Sequence, residues 1–370
     1  MKNILSSIIP AFALSMATLL LCAGCIKDLN YCYLVVESED ETKGTVSGGG
    51  IYKQGQDVPI LAIPMSGFYF KAWNDGNTAR SRTVKAKDVT YTAYFEKVAG
   101  GETEIDGFDE YGASYSLFSV SNIKQIRFSR GNLQYQASTG TWKFAEHQYD
   151  CVGSGNANIS SSYNGWIDLF GWGTSGWSGS GATSYQPWSS SYSYSSNSYG
   201  PPSNLEGSYA NADWAYFNLI VNGGNTAGLW RTLSMSEWQY LFLYRTNAAQ
   251  KYGLATINDT CRGMVILPDN WTLPAGCSFS QGVGSYTKNT YSYDQWEQMQ
   301  NNGAIFLPVT GYRLGTSLSF INETGHYWST TASSTSEWAL YWRFYSDEIN
   351  VTDCDWLRSL GFAIRPVFCE

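Results

Sequence analysis

The strongest constraint on the fold is the alternation of side chains near the C-terminus. In the segment 338–344, Trp-Ala-Leu-Tyr-Trp-Arg-Phe, two sets of side chains alternate with a period of two. Successive side chains of a β-strand point to opposite faces, so this segment predicts a strand with one face in a core and the other in solvent. Tyr341, Arg343 and Tyr345 are then expected to stand in a row on the solvent side. Such a row indicates a binding face and not a catalytic pocket.

The composition supports a folded protein and argues against one class of partner. Of 370 residues, 43% are hydrophobic and 16% are aromatic, which is enough to build real cores. Only 15% are charged, and the formal net charge is -8. A protein that binds nucleic acid needs clustered lysine and arginine to neutralise the phosphates. Nucleic acid is therefore not an expected partner.

The first residues have the pattern of an export signal. Lys2 is followed by an apolar run over residues 4–21 and by CAGC at 22–25, which predicts a signal peptide at 1–24. A single transmembrane anchor is the alternative, but polar residues interrupt a run that is already marginal in length. The small residues before Cys25 resemble the lipobox of bacterial lipoproteins, in which this cysteine is lipidated and becomes the first residue.

Two details of this N-terminal resemblance bear on localisation. The position three before Cys25 holds Cys22, where the lipobox usually holds leucine. The following IKD at 26–28 is similar to a fragment of the acidic signal that sends lipoproteins of Bacteroidetes-type bacteria to the cell surface. The resemblance implies an outer-membrane protein that faces the cell exterior and meets the membrane only through its lipid anchor.

Of the eight cysteines, six remain once Cys22 is removed and Cys25 is lipidated. In an exported protein such cysteines can form disulfides. A pair between Cys354 and Cys369 is favoured because both flank the last predicted strands, and six free thiols are the alternative. The mature chain has no CxxC pair and two histidines, so no zinc site of closely spaced ligands is expected. The remaining cysteines are Cys32, Cys151, Cys261, Cys277, Cys354 and Cys369.

Residues 25–98 are predicted to form a small domain of short strands. Several pieces between turns have the length and residue types of strands, at 33–36, 48–52, 58–63, 68–73 and 89–95. The segment closely resembles the internalin-type B-repeat of bacterial surface proteins, which implies a β-grasp-like spacer that lifts other domains off the envelope. The motifs that carry this resemblance are GTV at 44–46, GFYFKAWNDGN at 67–77, RTV at 82–84 and TYTAYF at 90–95.

The rest of the chain is predicted to be a linker at 99–117 followed by one domain at 118–370. The linker segment is polar and has no hydrophobic period. In the domain, Ser234 and Glu237 form a capping-box pattern at the start of an expected helix at 234–245. A second helix is expected at 293–301, among many short strands. The fold class is therefore α+β.

Several motifs in this domain together resemble the Fibrobacter-succinogenes-type major paralogous domain. That family belongs to the formylglycine-generating-enzyme branch of the C-type-lectin-like fold, so the resemblance implies this fold from about Phe118 to the C-terminus. The motifs are WRTLS at 230–234, EW at 237–238, VILP at 265–268, FLPVTGYR at 306–313, GHYWST at 325–330 and GFAIRPV at 361–367.

The same region is similar to C-terminal domains that retroelements diversify in phages and gut bacteria. This resemblance implies that residues on the last strands face a ligand, while others form a fixed scaffold. The expected ligand-binding residues are Trp338, Leu340, Tyr341, Arg343, Tyr345, Ser346, Asp355, Trp356, Ser359 and Leu360. The expected scaffold residues are Trp328, Ala339, Trp342, Phe344, Arg358, Gly361 and Arg365.

No catalytic site or cofactor is expected. The oxidase activity of the related branch depends on a paired cysteine site, and neither Cys354 nor Cys369 stands in a motif that matches it. The four carboxylates at Asp347, Glu348, Asp353 and Asp355 are interpreted as a solvated loop. Calcium, which needs several oxygen ligands, stays open without an assigned site.

Three functions follow from these observations. The first is a surface lipoprotein that binds a protein or glycan, on a host, bacterial or phage surface, through its C-terminal face. The second is an assembly component of the envelope or of a fimbria-like appendage, in which the aromatic region 154–208 packs against partner subunits. The third is a degenerate enzyme of the formylglycine-generating branch.

Overall fold

The computed structural model of the chain describes residues 30–64, 68–79, 81–97, 107–158, 160–189, 199–352 and 354–369. The chain divides into two units, Met1–Gly101 and Glu102–Glu370. The signal peptide expected at 1–24 and the expected lipidation site Cys25 lie outside the described residues. Both units contain small β-sheets, and the few helices of the described residues all lie in the second unit, which is consistent with the predicted α+β class.

The described residues of the first unit form strands and turns only. A four-stranded sheet has the order β3-β1-β7-β5, with β1 and β7 parallel and the other pairs antiparallel, and an antiparallel sheet has the order β2-β4-β6. The strands are β1 Tyr31–Ser38, β2 Gly44–Ser47, β3 Gly50–Lys53, β4 Asp57–Pro64, β5 Phe68–Trp73, β6 Ser81–Lys85 and β7 Val89–Lys97.

The strand period explains which residues fill the core of this unit. In β1, Cys32 and Leu34 are buried while Tyr33 is 57% exposed, as a period of two requires. A Cβ atom on Gly44 would lie 2.4 Å from the ring of Phe95, so glycine is needed where β2 crosses that ring. The other buried apolar residues of this core include Ile60, Ala62, Trp73 and Ala93.

The second unit contains several small sheets. The largest have the orders β15-β13-β14-β16 and β19-β20-β21, with β22 also paired to β20, and a third has the order β18-β17-β23. Further two-stranded pairs are β8-β9, β10-β11 and β12-β24. The strands are β8 Phe118–Ser119, β9 Gln125–Ile126, β10 Leu133–Gln136, β11 Thr141–Phe144, β12 Trp230–Arg231, β13 Tyr252–Ile257, β14 Cys261–Ile266, β15 Thr290–Tyr291, β16 Ile305–Pro308, β17 Tyr312–Leu314, β18 Ser317–Ser319, β19 Gly325–Ala332, β20 Trp338–Phe344, β21 Ile349–Asn350, β22 Asp355–Leu357, β23 Leu360–Gly361 and β24 Val367–Phe368.

Short helices connect these sheets, and both predicted helices are confirmed. Ser234 and Glu237 form the capping box before α2, and the chain then widens into one π-helical turn at Tyr240–Tyr244. Ser292 and Gln295 form a second capping box before α3. The α-helices are α1 Trp214–Phe217, α2 Met235–Gln239 and α3 Tyr293–Asn301, and the 3-10 helices are Gly153–Ala157, Ser178–Ser180, Gly207–Ala212 and Ala248–Gln250.

The predicted linker at 99–117 is wrong over its second half. Residues 107–117 pack into the second unit, where Ala113 is fully buried. Asp109 forms an ion pair with the buried Arg127 and accepts a hydrogen bond of 2.8 Å from the Ala113 N–H. An ion pair and backbone hydrogen bonds order this polar segment. Neither interaction produces a hydrophobic period, so the sequence pattern does not reveal the order.

The strand pair β19-β20 lies between two hydrophobic clusters. Trp342 and Phe344 belong to the first cluster, which also contains Phe128 and Trp238. Ala339 and Tyr341 belong to the second cluster, which also contains Phe170 and Trp328. Both faces of β20 are therefore covered along most of its length.

The cysteines and helices complete the description. None of the six cysteines of the predicted mature chain is in a disulfide in this structure, so the favoured Cys354–Cys369 disulfide is not formed. Cys354 follows β21 and is buried in the second cluster, whereas the Cys369 N–H donates to the Leu229 carbonyl beside β12. Within the part of the chain that the structure describes, none of the helices has the length and apolar character needed to cross a bilayer.

Candidate functional site

The register of β19 and β20 determines which side chains share a face. His326 lies opposite Arg343, and Trp328 lies opposite Tyr341. Directly opposed residues of antiparallel strands project to the same side of the sheet. His326, Trp328, Tyr341 and Arg343 therefore lie on one face, and Tyr345 continues it beyond the end of β20.

The predicted exposure of Tyr341 is wrong. Its side chain is 2% exposed because the second hydrophobic cluster covers this face of the central strand. Burial raises its pKa, with a smaller contribution from the nearby Cys354. Arg343 and Tyr345 are half-buried, since they lie where β20 leaves the clusters. Tyr341 therefore lies beneath the surface, whereas Arg343 and Tyr345 form part of it.

An aromatic cluster with a buried floor and an accessible rim surrounds Tyr341. The floor rings stack closely: His326 lies 5.1 Å from Phe362, and Tyr341 lies 4.6 Å from Phe362. The rim rings are half-buried and contact the floor. We define the aromatic cluster as the floor residues His326, Tyr341 and Phe362 with the rim residues Tyr312, Tyr345 and Trp356.

The rim rings also contact one another and an exposed neighbour. Tyr312 and Trp356 have ring centroids 5.6 Å apart, and Tyr312 lies 5.9 Å from Phe320. Phe320 is 51% exposed, which is unusual for a phenylalanine. The rim therefore presents connected aromatic surface that is held in place from below.

His326 is held in its neutral form. It is 1% exposed, and burial, followed by the nearby charge of Arg343, lowers its pKa to about 3. Its Nδ1 atom lies 3.2 Å from the hydroxyl oxygen of Thr324. A general base works best with a pKa near the operating pH, so His326 is suited to ring stacking and poorly suited to proton transfer.

Arg343 supplies the positive charge at the rim. Its guanidinium lies 5.2 Å from the centroid of the Tyr345 ring and 3.7 Å from the Glu348 carboxylate. The Arg343 and Glu348 side chains are 30% and 50% exposed, and such pairs are weak in water. The weak ion pair and the 30% exposure of its side chain leave the outer N–H groups of Arg343 within reach of a ligand.

Leu340 and Asp355 lie on the opposite face of the sheet. They are paired in register between β20 and β22, and Leu340 packs against the first cluster. The Asp355 carboxylate accepts a hydrogen bond from the Ser333 hydroxyl. Trp356, the next residue of β22, is opposite Ala339 and joins the aromatic cluster. The predicted binding residues therefore do not form a single surface.

The remaining predicted binding residues differ in exposure. Ser346 is exposed, and its carbonyl accepts a hydrogen bond of 2.7 Å from the Gly284 N–H. Trp338 is half-buried against the second cluster. Ser359 and Leu360 are only 4% and 1% exposed, so their predicted place at the surface is wrong. Leu360 is buried because β23 pairs with β17 and packs into the second cluster.

The residues expected to form the scaffold are buried. Arg358 donates from Nε to the Trp338 carbonyl at 3.0 Å, and its guanidinium lies 4.4 Å from the Trp172 ring. A Cβ on Gly361 would lie 2.9 Å from the side chain of Arg313, so glycine is needed there. The buried scaffold residues are Trp328, Ala339, Trp342, Phe344, Arg358, Gly361 and Arg365.

The sequence does not identify four residues that form or support the rim: Tyr312, Phe320, His326 and Phe362. Tyr312, His326 and Phe362 belong to motifs that indicate the fold and give no sign of a place at the binding face. A usable signal was the short spacing between Tyr312 and Phe320, which is compatible with a hairpin that brings two rings together; they are 5.9 Å apart across β17 and β18. His326 faces the aromatic cluster only because of the register of β19 against β20, which the sequence does not indicate.

The described residues contain no group of three or more His, Cys, Asp or Glu side chains that could hold a metal ion. Of the acidic loop next to the aromatic cluster, Asp353 lies outside the described residues. No calcium ligands can be assigned here.

Comparisons with known proteins bear on the first unit. Residues 34–99 match the family model of the divergent InlB B-repeat domain, which confirms the internalin-type repeat predicted from the sequence. The match covers less than a fifth of the chain. No curated protein and no solved structure matches the chain.

Proposed function

We propose that this protein is a cell-surface lipoprotein that binds a protein or glycan ligand through the rim of the aromatic cluster. The observation that carries the proposal is a set of accessible rings on a fully buried floor. Tyr312, Tyr345 and Trp356 are half-buried, whereas His326 and Tyr341 beneath them are at most 2% exposed.

The chemistry of the rim suits recognition. Tyrosine, tryptophan and arginine dominate binding hot spots because they combine large contact area with hydrogen-bonding groups. Tyr345 and Trp356 have few rotatable bonds, and their neighbours already hold them, so little conformational entropy is lost on binding. Arg343 adds a charged donor over the Tyr345 ring. These properties favour a ligand with both flat apolar and hydrogen-bonding groups.

The domain arrangement is part of the same proposal. The divergent InlB B-repeat at 34–99 supports a role as a spacer between an envelope anchor at Cys25 and a binding domain. For the binding domain we propose a C-type-lectin-like fold, on the strength of the sequence motifs. Its buried scaffold and accessible rim also fit a domain whose surface residues vary while its core is retained, as in retroelement-diversified proteins.

The experiment is a binding assay with the purified full chain on arrayed glycans and on bacterial and host cells. Tyr345→Ala and Trp356→Ala, made separately, are each expected to weaken binding at least about tenfold. Tyr244→Ala is the matched control, because Tyr244 is 67% exposed and lies outside the aromatic cluster. Circular dichroism verifies that each variant is folded.

Absence of binding to every surface, or binding that both rim variants leave unchanged, would contradict the proposal. The alternative function, an assembly component, would then be favoured. Exposed apolar side chains at Leu219 and Val221, 53% and 56% exposed, favour that alternative. The aromatic region 154–208 favours it less, because Phe170 and Trp172 are buried within the chain itself. Concentration-dependent sedimentation of the full chain would support the assembly role.

A further inference from the structure

A cleft of about 290 Å³ lies between the loop 146–150 and helix α3. It shares no residue with the aromatic cluster. Its volume is at the lower end of the range for small-molecule sites, about 300–1,000 Å³, so it suits a ligand of one or two rings.

Three rings lie in a row at this cleft, the first two stacked and the third tilted by 35° to its neighbour. His147 and Tyr149 are nearly parallel, with centroids 5.0 Å apart and an angle of 7° between planes. Tyr149 and Tyr293 follow with centroids 5.4 Å apart. Tyr293 is 46% exposed, so the row is open to solvent. Flat rings at the edge of a cleft offer an apolar platform for another flat or ring-shaped group.

The polar groups of the cleft require a ligand that both donates and accepts hydrogen bonds. Glu146 and Asp294 are exposed carboxylates that line the cleft and can accept. Arg130 also lines it, is half-buried, and carries N–H groups that donate. Trp296 lines the cleft as a ring that is only 2% exposed. Hydroxyl groups meet both requirements, whereas a cation cannot accept from Arg130.

The loop that carries His147 and Tyr149 is fixed from below by Gln148. The Gln148 side chain is fully buried and donates to the Ala304 carbonyl at 3.1 Å. Its Oε1 atom accepts from the Phe306 N–H at 2.8 Å and from Arg365 at 2.7 Å. A loop held by this many buried hydrogen bonds presents its rings without a large ordering cost on binding.

We propose that this cleft is a second binding site, for one neutral saccharide unit. The sugar ring lies on the row of His147, Tyr149 and Tyr293. Its hydroxyl groups donate to Glu146 and Asp294 and accept from the Arg130 side chain. Three carboxylates, Glu146, Asp294 and Glu297, line the cleft against this one guanidinium, and their excess of negative charge disfavours acidic sugars.

Saturation-transfer NMR with the full chain tests this site, using the methyl glycosides of glucose, galactose, mannose and N-acetylglucosamine as probes. Transfer to the ring C–H protons of at least one probe is expected. Tyr293→Ala is expected to raise the dissociation constant at least about tenfold. Tyr244→Ala, outside the cleft, is the matched control.

Absence of transfer from all four probes overturns the proposal, as does transfer that Tyr293→Ala leaves unchanged. Binding of choline without binding of any sugar overturns the saccharide assignment in favour of a cation site. The result is independent of the proposed rim function, because Tyr345→Ala and Trp356→Ala alter no residue of the cleft.

Discussion

At the scale of single residues, His326 illustrates how surroundings determine what a side chain can do. An exposed histidine changes charge near neutral pH. Here the ring lies among Tyr312, Tyr341 and Phe362, and its pKa is lowered to about 3 by burial and then by Arg343. It therefore acts as a flat neutral ring over the whole range from pH 5 to pH 8.

This burial predicts a pH-dependent stability. In the unfolded chain His326 has the ordinary pKa of about 6.5. The unfolded state therefore binds a proton below about pH 6.5, whereas the folded state binds it only near pH 3. The stability linked to His326 is present above pH 6.5 and is lost as the pH falls towards about 3. Relative to His326→Phe, the wild type is expected to lose up to about 1.4 kcal/mol per pH unit in this window.

Urea unfolding of the wild type and His326→Phe at pH 7, 5.5 and 4.5 measures this difference. A difference in unfolding free energy that stays constant across the three pH values would show that His326 titrates normally in the folded state.

At the scale of elements, the helix starts are set by local interactions. The Ser292 hydroxyl accepts a hydrogen bond of 3.2 Å from the Gln295 N–H, and the Gln295 side chain accepts one of 3.0 Å from the Ser292 N–H. Both partners lie within four residues, so the sequence alone was sufficient to place α3. The same holds for Ser234 and Glu237 before α2.

Ser292→Ala is expected to lower the free energy of unfolding by about 1 kcal/mol, because the first turn of α3 loses its capping acceptor. Ser292→Asp keeps an acceptor and is expected to be nearly neutral. Equilibrium urea denaturation of the three proteins tests this. Equal losses in the two variants would mean that the hydroxyl does not act as a cap.

The burial of Tyr341 could not be predicted in this way. The period of two along β20 correctly places Tyr341 on the same face as Arg343. Whether that face meets solvent depends on residues from other parts of the chain that pack against it. Phe170 and Phe362, which help cover it, are 171 and 21 positions away in the sequence. The paired Asp109 and Arg127 raise the same difficulty in the predicted linker, where the order comes from a contact between segments.

At the scale of the whole molecule, stability rests on packed cores without covalent links between the described cysteines. The first unit has its own core around Leu34 and Trp73, and the second has several clusters. The motifs of residues 34–99 are close together in sequence, which made the first unit recognisable. The second unit is assembled from many two-residue and three-residue strands, whose partners the sequence does not indicate.

The absence of disulfides among the described cysteines predicts that a reducing agent leaves thermal stability unchanged. A native disulfide typically contributes about 2–4 kcal/mol, so its loss would lower the melting temperature by several degrees. Differential scanning calorimetry of the full chain with and without dithiothreitol measures this. A clear decrease on reduction would indicate a disulfide, with Cys354 and Cys369 as the first pair to examine.

The covered position of β20 also has a mechanical consequence. This strand is bonded to β19 on one side and to β21 and β22 on the other, with a hydrophobic cluster against each face. Under the proposed function, a tensile load on a ligand held at Tyr345 enters the molecule through the end of this strand. A load directed along the strand axis shears the hydrogen bonds at both edges together instead of breaking them one by one. In that direction the strand is expected to resist extraction strongly.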